Sequence, residues 1–223
     1  MQTHIPPDPA PDRQHAARTL IQGVYAITPD ENSTPRLLTA VQAALAAGIR
    51  LLQYRQKHAS PCLKRAQLQA LKSLCTEYQT LLIVNDDWQL AAELDIAAVH
   101  LGEDDGDIAQ ARQVLGPDAL IGVSCYDSIE RARTLAPLAD YLAFGALFSS
   151  GTKPLARSAP LSLFGQKSVR ALARPLVGIG GINASNIGQV RASGADAAAV
   201  IGALFGQPDV GVAARQLLAA YQG

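Results

Sequence analysis

The sequence has few aromatic residues and few cysteines, and both shortages narrow the class of protein. Phe, Trp and Tyr make up 5% of the 223 residues although hydrophobic residues make up 48%. The apolar residues are mainly Ala, Leu, Ile and Val, which are typical of buried parallel strands and of the helices that cover them. The three cysteines, Cys62, Cys75 and Cys125, show neither CxxC nor Cys/His spacing. This argues against a zinc site and against a disulfide framework, and it predicts a reducing, cytoplasmic location.

The chain also lacks an excess of charge and a long apolar run. The 19 basic residues balance the 19 acidic ones, so the basic surface that a nucleic acid would need is not expected. No apolar stretch approaches the roughly 20 residues of a membrane helix. The N-terminus, MQTHIPPDPAPDRQH, has four prolines and no apolar centre, unlike a signal peptide. We expect a soluble protein that acts on small molecules, with a flexible leader at 1–12 and one domain at 13–223; the sequence leaves a homo-oligomer open.

Short apolar segments alternate with longer segments of helical periodicity. The predicted strands are GVYAIT, LLQYR, LLIVN, AAVHL, LIGVS, DYLAFG, PLVGIG and AAAVI. The predicted helices that follow them lie at 35–48, 61–77, 87–94, 107–115, 127–136, 161–173, 184–193 and 209–221. Eight consecutive units with parallel pairing predict a single (β/α)8 TIM barrel, with a short N-terminal leader or helix before it. A doubly wound sheet is the alternative, but its only glycine signal, GIGGIN at 178–183, ends in Asn and comes late in the chain.

Polar residues gather at the carboxyl ends of the predicted strands, where barrel enzymes place their chemistry. In QYRQK, strand alternation predicts that Gln53, Arg55 and Lys57 point to one side. Two cations and an amide suit a phosphorylated ligand, because Arg and Lys bind phosphate oxygens and the amide can contact a heterocycle. Ordinary solvated charges are the competing interpretation.

Carboxylates end the next two strands. In LLIVNDD the apolar strand stops at Asn85 and Asp86, and Asp105 follows AAVHL. Adjacent barrel strands would bring Asp86 and Asp105 together, and Mg2+ in proteins is commonly held by one or two carboxylates with substrate phosphates and water. The competing metal ligands are Asp87, Asp104 and Glu103. Helix N-capping is the competing role for this group.

Two further segments suit phosphate binding. The loop FGALFSSGTKP carries Ser150, Thr152 and Lys153. This composition is typical of a lid over a leaving diphosphate, and a flexible surface loop is the competing interpretation. The glycine turns around Gly181 and Gly202 expose backbone N–H groups, or else allow tight packing. His100 lies inside an apolar strand, where a hydrogen-bonded structural histidine is more common than a catalytic base, and its role stays open. The motifs HExxH and GxxxxGK[ST] are absent.

In order, QYRQK, Asn85-Asp86, HLGEDD, the GVS of 122–124, SGTK and the turn at 179–183 resemble the thiamine-phosphate synthase family from position 25 to 205. The resemblance implies a transferase of thiamine biosynthesis that joins 4-amino-2-methyl-5-hydroxymethylpyrimidine diphosphate to a thiazole phosphate and releases diphosphate. A thiazole tautomerase-like barrel and a non-catalytic phosphate-ligand-binding barrel are the alternatives.

The resemblance also assigns roles to individual residues. It implies Mg2+ at Asp86 and Asp105. It places the remaining roles as follows: diphosphate at Arg55, Lys57, Asn85 and Lys153; the pyrimidine at Gln53, with Ser124 beside it; the thiazole phosphate at Ser150, Thr152, Gly181, Ile201 and Gly202. Lys153, Arg55 and Ser124 are the expected catalytic residues. The sequence departs from the family pattern at Glu103, Ser150 and Gly202, where Gln, Thr and Ser are usual, and Glu103 would add charge near the metal.

Overall fold

The computed structural model describes residues 11–148 and 158–223. Its strands form a closed parallel barrel in chain order, and the last strand pairs with the first. The strands are β1 Gly23–Ile27, β2 Leu51–Tyr54, β3 Leu81–Asn85, β4 Ala98–Leu101, β5 Leu120–Tyr126, β6 Tyr141–Phe144, β7 Leu176–Ile179 and β8 Ala197–Val200. The predicted (β/α)8 barrel is confirmed.

Helices surround the barrel and alternate with its strands. They are α1 Pro11–Leu20, α2 Thr34–Ala46, α3 Pro61–Glu77, α4 Trp88–Glu93, α5 Ile108–Leu115, α6 Ile129–Leu135, α7 Lys167–Arg170, α8 Ile187–Ala192, α9 Gly202–Phe205 and α10 Val210–Gln222, with a 3-10 helix at Leu161–Gly165. Within the described ranges, no helix is long and apolar enough to cross a membrane.

Local sequence explains where several helices begin. The side chains of Ser60, Asp87, Asp107, Ser128 and Asp209 each accept a hydrogen bond from a backbone N–H in the first turn of the helix that follows. Such caps satisfy N–H groups that have no partner inside the helix. Each cap therefore fixes the end of a loop on the face of the barrel where the strands end.

Side chains alternate between two apolar layers along each strand, as the two-residue period of a strand requires. One cluster lies between the strands and the surrounding helices and includes Val24, Leu52 and Val84. The other fills the barrel interior and includes Tyr25 and Tyr141. Because of this alternation, polar side chains near the carboxyl ends of the strands point into the barrel mouth.

Helix α1 covers the opposite end of the barrel. Its Ala17 and Ile21 are fully buried in the interior cluster. Arg13 donates to the buried carboxylate of Asp140 over 2.8 Å, and the same carboxylate accepts from Arg112. Residues 1–10 lie outside the described part of the chain, so the flexible leader predicted for 1–12 stays a prediction.

Two features of the helices differ from the prediction. The helix expected at 161–173 is broken into the 3-10 helix and α7, because Gln166 between them has extended backbone, with φ −67° and ψ 133°. Gly165, a poor helix former, ends the first piece. The short helix α9 directly after β8 was not predicted. Barrels often use such an extra helix beside the phosphate corner.

Candidate active site

The cations of QYRQK lie beyond the end of their strand. β2 ends at Tyr54, so alternation places only Gln53 reliably: it is buried in the barrel, and its amide nitrogen donates to the Tyr25 hydroxyl over 2.8 Å. Arg55 and Lys57 are in the loop that follows. The prediction that strand alternation aligns all three residues is therefore wrong, because Arg55 and Lys57 do not belong to the strand. Another contact has to position these two cations.

Asp30, after β1, supplies that contact. One oxygen of its carboxylate accepts from the Lys57 backbone N–H over 2.6 Å, and the other accepts from the Arg55 guanidinium over 3.1 Å. Burial opposes ionisation of Asp30, but these two partners outweigh it, so the pKa of Asp30 lies below its usual value. The buried Thr28 hydroxyl pairs with both the N–H and the carbonyl of Arg55. The loop after β2 is thus fastened to the end of β1.

The structure brings Asp86 and Asp105 together at the ends of β3 and β4. Burial raises the pKa of Asp86 to about 6, and a hydrogen bond and repulsion from the Asp105 carboxyl add to the rise. The positive charges of Lys57 and Arg55 oppose it. Asp105, Lys57 and Arg55 are therefore all near enough to act on the Asp86 carboxylate, so the two carboxylates and the two cations of the loop after β2 lie in one region of the barrel mouth.

Helix capping does not compete for Asp86. The cap of α4 is Asp87, whose carboxylate accepts from the Leu90 N–H over 3.0 Å. Asp86 itself has φ +67°, a left-handed conformation that costs energy in a residue other than glycine and tends to occur at functional sites. Asp105 is oriented by the Gly102 N–H, which donates to its carboxylate over 2.6 Å.

The two carboxylates fit a magnesium ion that also binds substrate. Within residues 11–148 and 158–223, no three His, Cys, Asp or Glu side chains form a metal cage. Mg2+ commonly takes one or two protein carboxylates and completes its shell with phosphate oxygens and water. A divalent cation would also relieve the repulsion between Asp86 and Asp105.

Glu103, the acidic departure near this pair, has a cationic partner of its own. Its carboxylate lies 3.9 Å from the Arg131 guanidinium, and its side chain is 61% exposed. Arg131 also donates to the Ser124 carbonyl over 2.8 Å and packs over the Tyr126 ring. Through Arg131, Glu103 therefore links the end of β4 to the end of β5.

Inside the barrel mouth, five polar side chains form a continuous chain of hydrogen bonds. Gln53 contacts Tyr25, the Tyr25 and Tyr141 hydroxyls are 2.9 Å apart, and Tyr141 lies 3.0 Å from Nδ1 of His100. Nε2 of His100 lies 3.0 Å from the Ser124 hydroxyl. Burial lowers the pKa of His100 to about 4, so the imidazole is neutral near pH 7.

The ends of β7 and β8 form the corner expected for the thiazole phosphate. Gly181 has φ +65°, and its carbonyl accepts from the Asn186 amide over 3.0 Å. Ile201 directly precedes α9. Gly202 is the first residue of α9 and is exposed. A Cβ on Gly202 would meet no atom within 4 Å, so the corner has room for a ligand. Ser150, Thr152 and Lys153 lie outside the described residues.

Asn85 also lies on the inner side of the barrel mouth, where its register partner on β4 is His100. The candidate site predicted from the sequence omits Asp30, Tyr25 and Tyr141, and the sequence leaves the role of His100 open. Asp30 could have been found as the acidic strand end beside two cations. The tyrosines gave no such signal, because both look like ordinary apolar strand residues.

The family model described as thiamine monophosphate synthase matches residues 24–204. The chain is 54% identical over 197 residues to the thiamine-phosphate synthase of Methylobacillus flagellatus, covering 88% of this chain and 93% of that protein. It is 52% identical over 198 residues to the thiamine-phosphate synthase of Chromobacterium violaceum, covering 88% and 95%.

Solved structures agree with the sequence relatives. A thiamine phosphate pyrophosphorylase from Pyrococcus furiosus superposes with a TM-score of 0.81 and 31% identity, covering 93% of this chain and 98% of that chain. The match therefore spans the strands that carry the candidate site as well as the barrel around it. The chain belongs to the thiamine monophosphate synthase family.

Proposed function

We propose that this chain condenses 4-amino-2-methyl-5-hydroxymethylpyrimidine diphosphate with a thiazole phosphate to give thiamine phosphate and diphosphate. The observation that carries the proposal is the meeting of Arg55 and Lys57 with the Asp86–Asp105 pair at the barrel mouth. A diphosphate needs such a combination, because cations bind its oxygens directly and carboxylates bind it only through a metal. Membership of an enzyme family named for this product supports the same reaction.

In the proposed reaction, the bond between the pyrimidine methylene carbon and the diphosphate oxygen breaks, and its electron pair leaves with the oxygen. The thiazole nitrogen then forms the new C–N bond with its lone pair. No proton has to leave that nitrogen, so the main demands on the protein are charge stabilisation and positioning.

The residues divide this work between them. Arg55, Lys57 and Asn85 would bind the diphosphate, with Asp30 holding the first two in place. Gln53 would contact the pyrimidine, and Ser124 would bind the same substrate. Mg2+ at Asp86 and Asp105 would neutralise negative charge on the departing diphosphate. Lys153, proposed to assist the same departure, lies with Ser150 and Thr152 in the segment that is not described.

The second substrate would occupy the corner at β7 and β8. Gly181, Ile201 and Gly202 would contact the thiazole phosphate, partly through backbone N–H groups. We place the enzyme in the cytoplasm, whose reducing conditions suit the three free cysteines, Cys62 at the surface and Cys75 and Cys125 in the interior.

The direct test incubates the purified protein with both substrates and Mg2+ and measures diphosphate and thiamine phosphate. We expect the two products in equal amounts. Binding of both substrates without product would instead support a non-catalytic phosphate-binding barrel. Isomerisation of a thiazole phosphate in the absence of the pyrimidine would support a tautomerase-like enzyme.

A matched pair of variants tests the metal assignment. We predict that Asp105→Asn raises the Mg2+ concentration needed for half-maximal activity by at least about 10- to 100-fold, since even an outer-shell partner of a metal ligand is worth that much. Asp104→Asn is the control, because Asp104 is an exposed neighbour of the same charge. Circular dichroism should show both variants folded. A magnesium dependence of Asp105→Asn equal to that of the unsubstituted protein would remove Asp105 from the metal site.

A further inference from the structure

The hydrogen-bond chain from Gln53 to Ser124 has a definite direction, and that direction determines what Ser124 offers to a substrate. The two inner hydroxyls are closed off from solvent, since Tyr141 is 0% exposed and Tyr25 1%. Within the described residues, no buried side-chain nitrogen or oxygen lacks a partner. Each hydroxyl proton in the chain must therefore go to one of its neighbours in the chain.

The first link fixes the others. The Gln53 amide nitrogen donates to the Tyr25 oxygen. If Tyr141 also donated to Tyr25, the Tyr25 proton would be buried without an acceptor, so Tyr25 donates to Tyr141. The Tyr141 proton then has one acceptor left, Nδ1 of His100 at 3.0 Å.

The last link follows from the chemistry of imidazole. A neutral ring with an unprotonated Nδ1 carries its proton on Nε2. That N–H donates to the Ser124 oxygen, 3.0 Å away. The Ser124 hydroxyl, only half-buried at the barrel mouth, keeps its own proton for another partner.

We propose, on the basis of the proposed function, that His100, Tyr141 and Tyr25 are positioning residues which make Ser124 a hydrogen-bond donor to an acceptor atom of the pyrimidine diphosphate. At the other end, the same chain uses one Gln53 N–H and leaves its carbonyl oxygen and second N–H for the substrate. One buried chain thereby orients Gln53 and Ser124, two of the uncharged side chains assigned to this ligand.

The packing around Tyr141 shows that the barrel makes room for this chain. A Cβ on Gly122 would lie 1.9 Å from the Tyr141 ring, so only glycine allows the ring to cross the barrel interior at that level. The His100 ring stacks on the Tyr141 ring with 5.5 Å between their centroids. Stacking and hydrogen bonding together hold the imidazole edge toward Ser124.

The tautomer of His100 tests the direction without any substrate. Nitrogen-15 NMR of histidine-labelled protein near pH 7.5 should show the His100 signal, identified by its loss in His100→Gln, as the neutral form protonated on Nε2. A flipped Gln53 amide would reverse every bond and put the proton on Nδ1. That result would overturn the proposal, and because no turnover is involved it would do so whether or not the proposed reaction occurs.

Kinetics test the consequence. Tyr141→Phe keeps the ring but removes the donor to His100, and we expect the KM for the pyrimidine diphosphate to rise about tenfold while the KM for the thiazole phosphate is unchanged. Tyr221→Phe is the matched control, since its hydroxyl donates to the Asp196 carbonyl before β8, away from the chain. A rise of both KM values in Tyr141→Phe, or the same rise in Tyr221→Phe, would mean a general structural effect.

A double variant shows whether Tyr141 acts through Ser124. In the Ser124→Ala background, Tyr141→Phe should add less than about a twofold further change, because the hydroxyl it orients is already absent. Multiplying effects would overturn the proposal. Inhibition by inorganic diphosphate then locates the acceptor: Ser124→Ala weakens it if the acceptor is a diphosphate oxygen and leaves it unchanged if the acceptor is on the pyrimidine. A change confined to the KM of the thiazole phosphate would contradict both.

Discussion

Glu103 shows how one residue's neighbours decide the meaning of a substitution. The sequence alone suggests that this extra acid adds charge at the metal, whereas the structure directs it to Arg131. We predict that Glu103→Gln changes the Mg2+ dependence of activity by less than about twofold and the stability by about 1 kcal/mol or less, as for an exposed ion pair. Magnesium titration and thermal unfolding would measure both. A change in magnesium dependence like that of Asp105→Asn would show that Glu103 acts at the metal.

Gly202 offers a gain-of-contact experiment at the same scale. Since a Cβ there would meet no atom within 4 Å, we expect Gly202→Ser to fold normally. A hydroxyl at the proposed phosphate corner would add one hydrogen bond, so the KM for the thiazole phosphate should fall about two- to tenfold, with the KM for the pyrimidine diphosphate unchanged. Gly202→Ala is the control that adds bulk without a donor. The same KM in the Ser and Ala variants would place the phosphate elsewhere.

Individual residues could be predicted from sequence only where their chemistry is visible in their type. Asp86, Asp105 and Arg55 stand out as charged groups at strand ends. Tyr25 and Tyr141 do not, since their role depends on which strands face each other across the barrel, a relation between distant parts of the chain. Asp30 lies between these cases, because its charge was visible but its partners were not.

At the scale of elements, the site depends on how the turn after β7 meets the segment after β6. The Phe148 N–H donates to the Gly180 carbonyl over 3.1 Å, and the Leu147 N–H donates to the Ile179 carbonyl over 3.0 Å. These bonds join the loop after β6 to the glycine turn. The turn therefore positions both the proposed phosphate corner and residues 147–148, which precede the segment that carries Ser150, Thr152 and Lys153.

A substitution at Gly181 should disturb this junction. Its φ of +65° is unfavourable for other residues, and a Cβ would lie 2.7 Å from the Phe148 carbonyl oxygen. We predict that Gly181→Ala lowers the free energy of unfolding by about 1–2 kcal/mol or more. The same variant should raise the KM for the thiazole phosphate more than the KM for the pyrimidine diphosphate. Gly165→Ala, where a Cβ meets nothing within 4 Å, is the control. Equal unfolding midpoints for the two variants would contradict the prediction.

At the scale of the whole molecule, the barrel itself could be predicted because eight alternations of apolar and amphipathic segments repeat through nearly the full chain. The regular spacing survives local errors such as the broken helix at 161–173 and the unpredicted α9. The family and enzyme class implied by the ordered motifs are confirmed. The assignment of site residues stays a prediction, since it concerns what binds and not how the chain folds.

In the closed barrel, His100 and Asp86 have pKa values that are shifted in opposite directions, so they contribute with opposite signs to the pH dependence of stability. For His100, the folded-state pKa of about 4 lies below the usual 6.5, so between these values the unfolded chain binds a proton that the folded chain does not. Stability from this group is lost as the pH falls through that window, by up to about 3 kcal/mol. For Asp86, the folded-state pKa of about 6 lies above the usual 3.8, so its contribution has the opposite sign.

Without metal, the two contributions should partly cancel between pH 6 and pH 4. We therefore predict that Asp86→Asn loses more stability than the unsubstituted protein when the pH falls from 6.5 to 4.5, and that His100→Gln loses less. Urea unfolding in EDTA at several pH values would measure the slopes. Parallel curves would contradict the prediction. Opposite deviations would mean that the buried His100 imidazole and the Asp86 carboxylate make opposing contributions to the pH dependence of the barrel's stability.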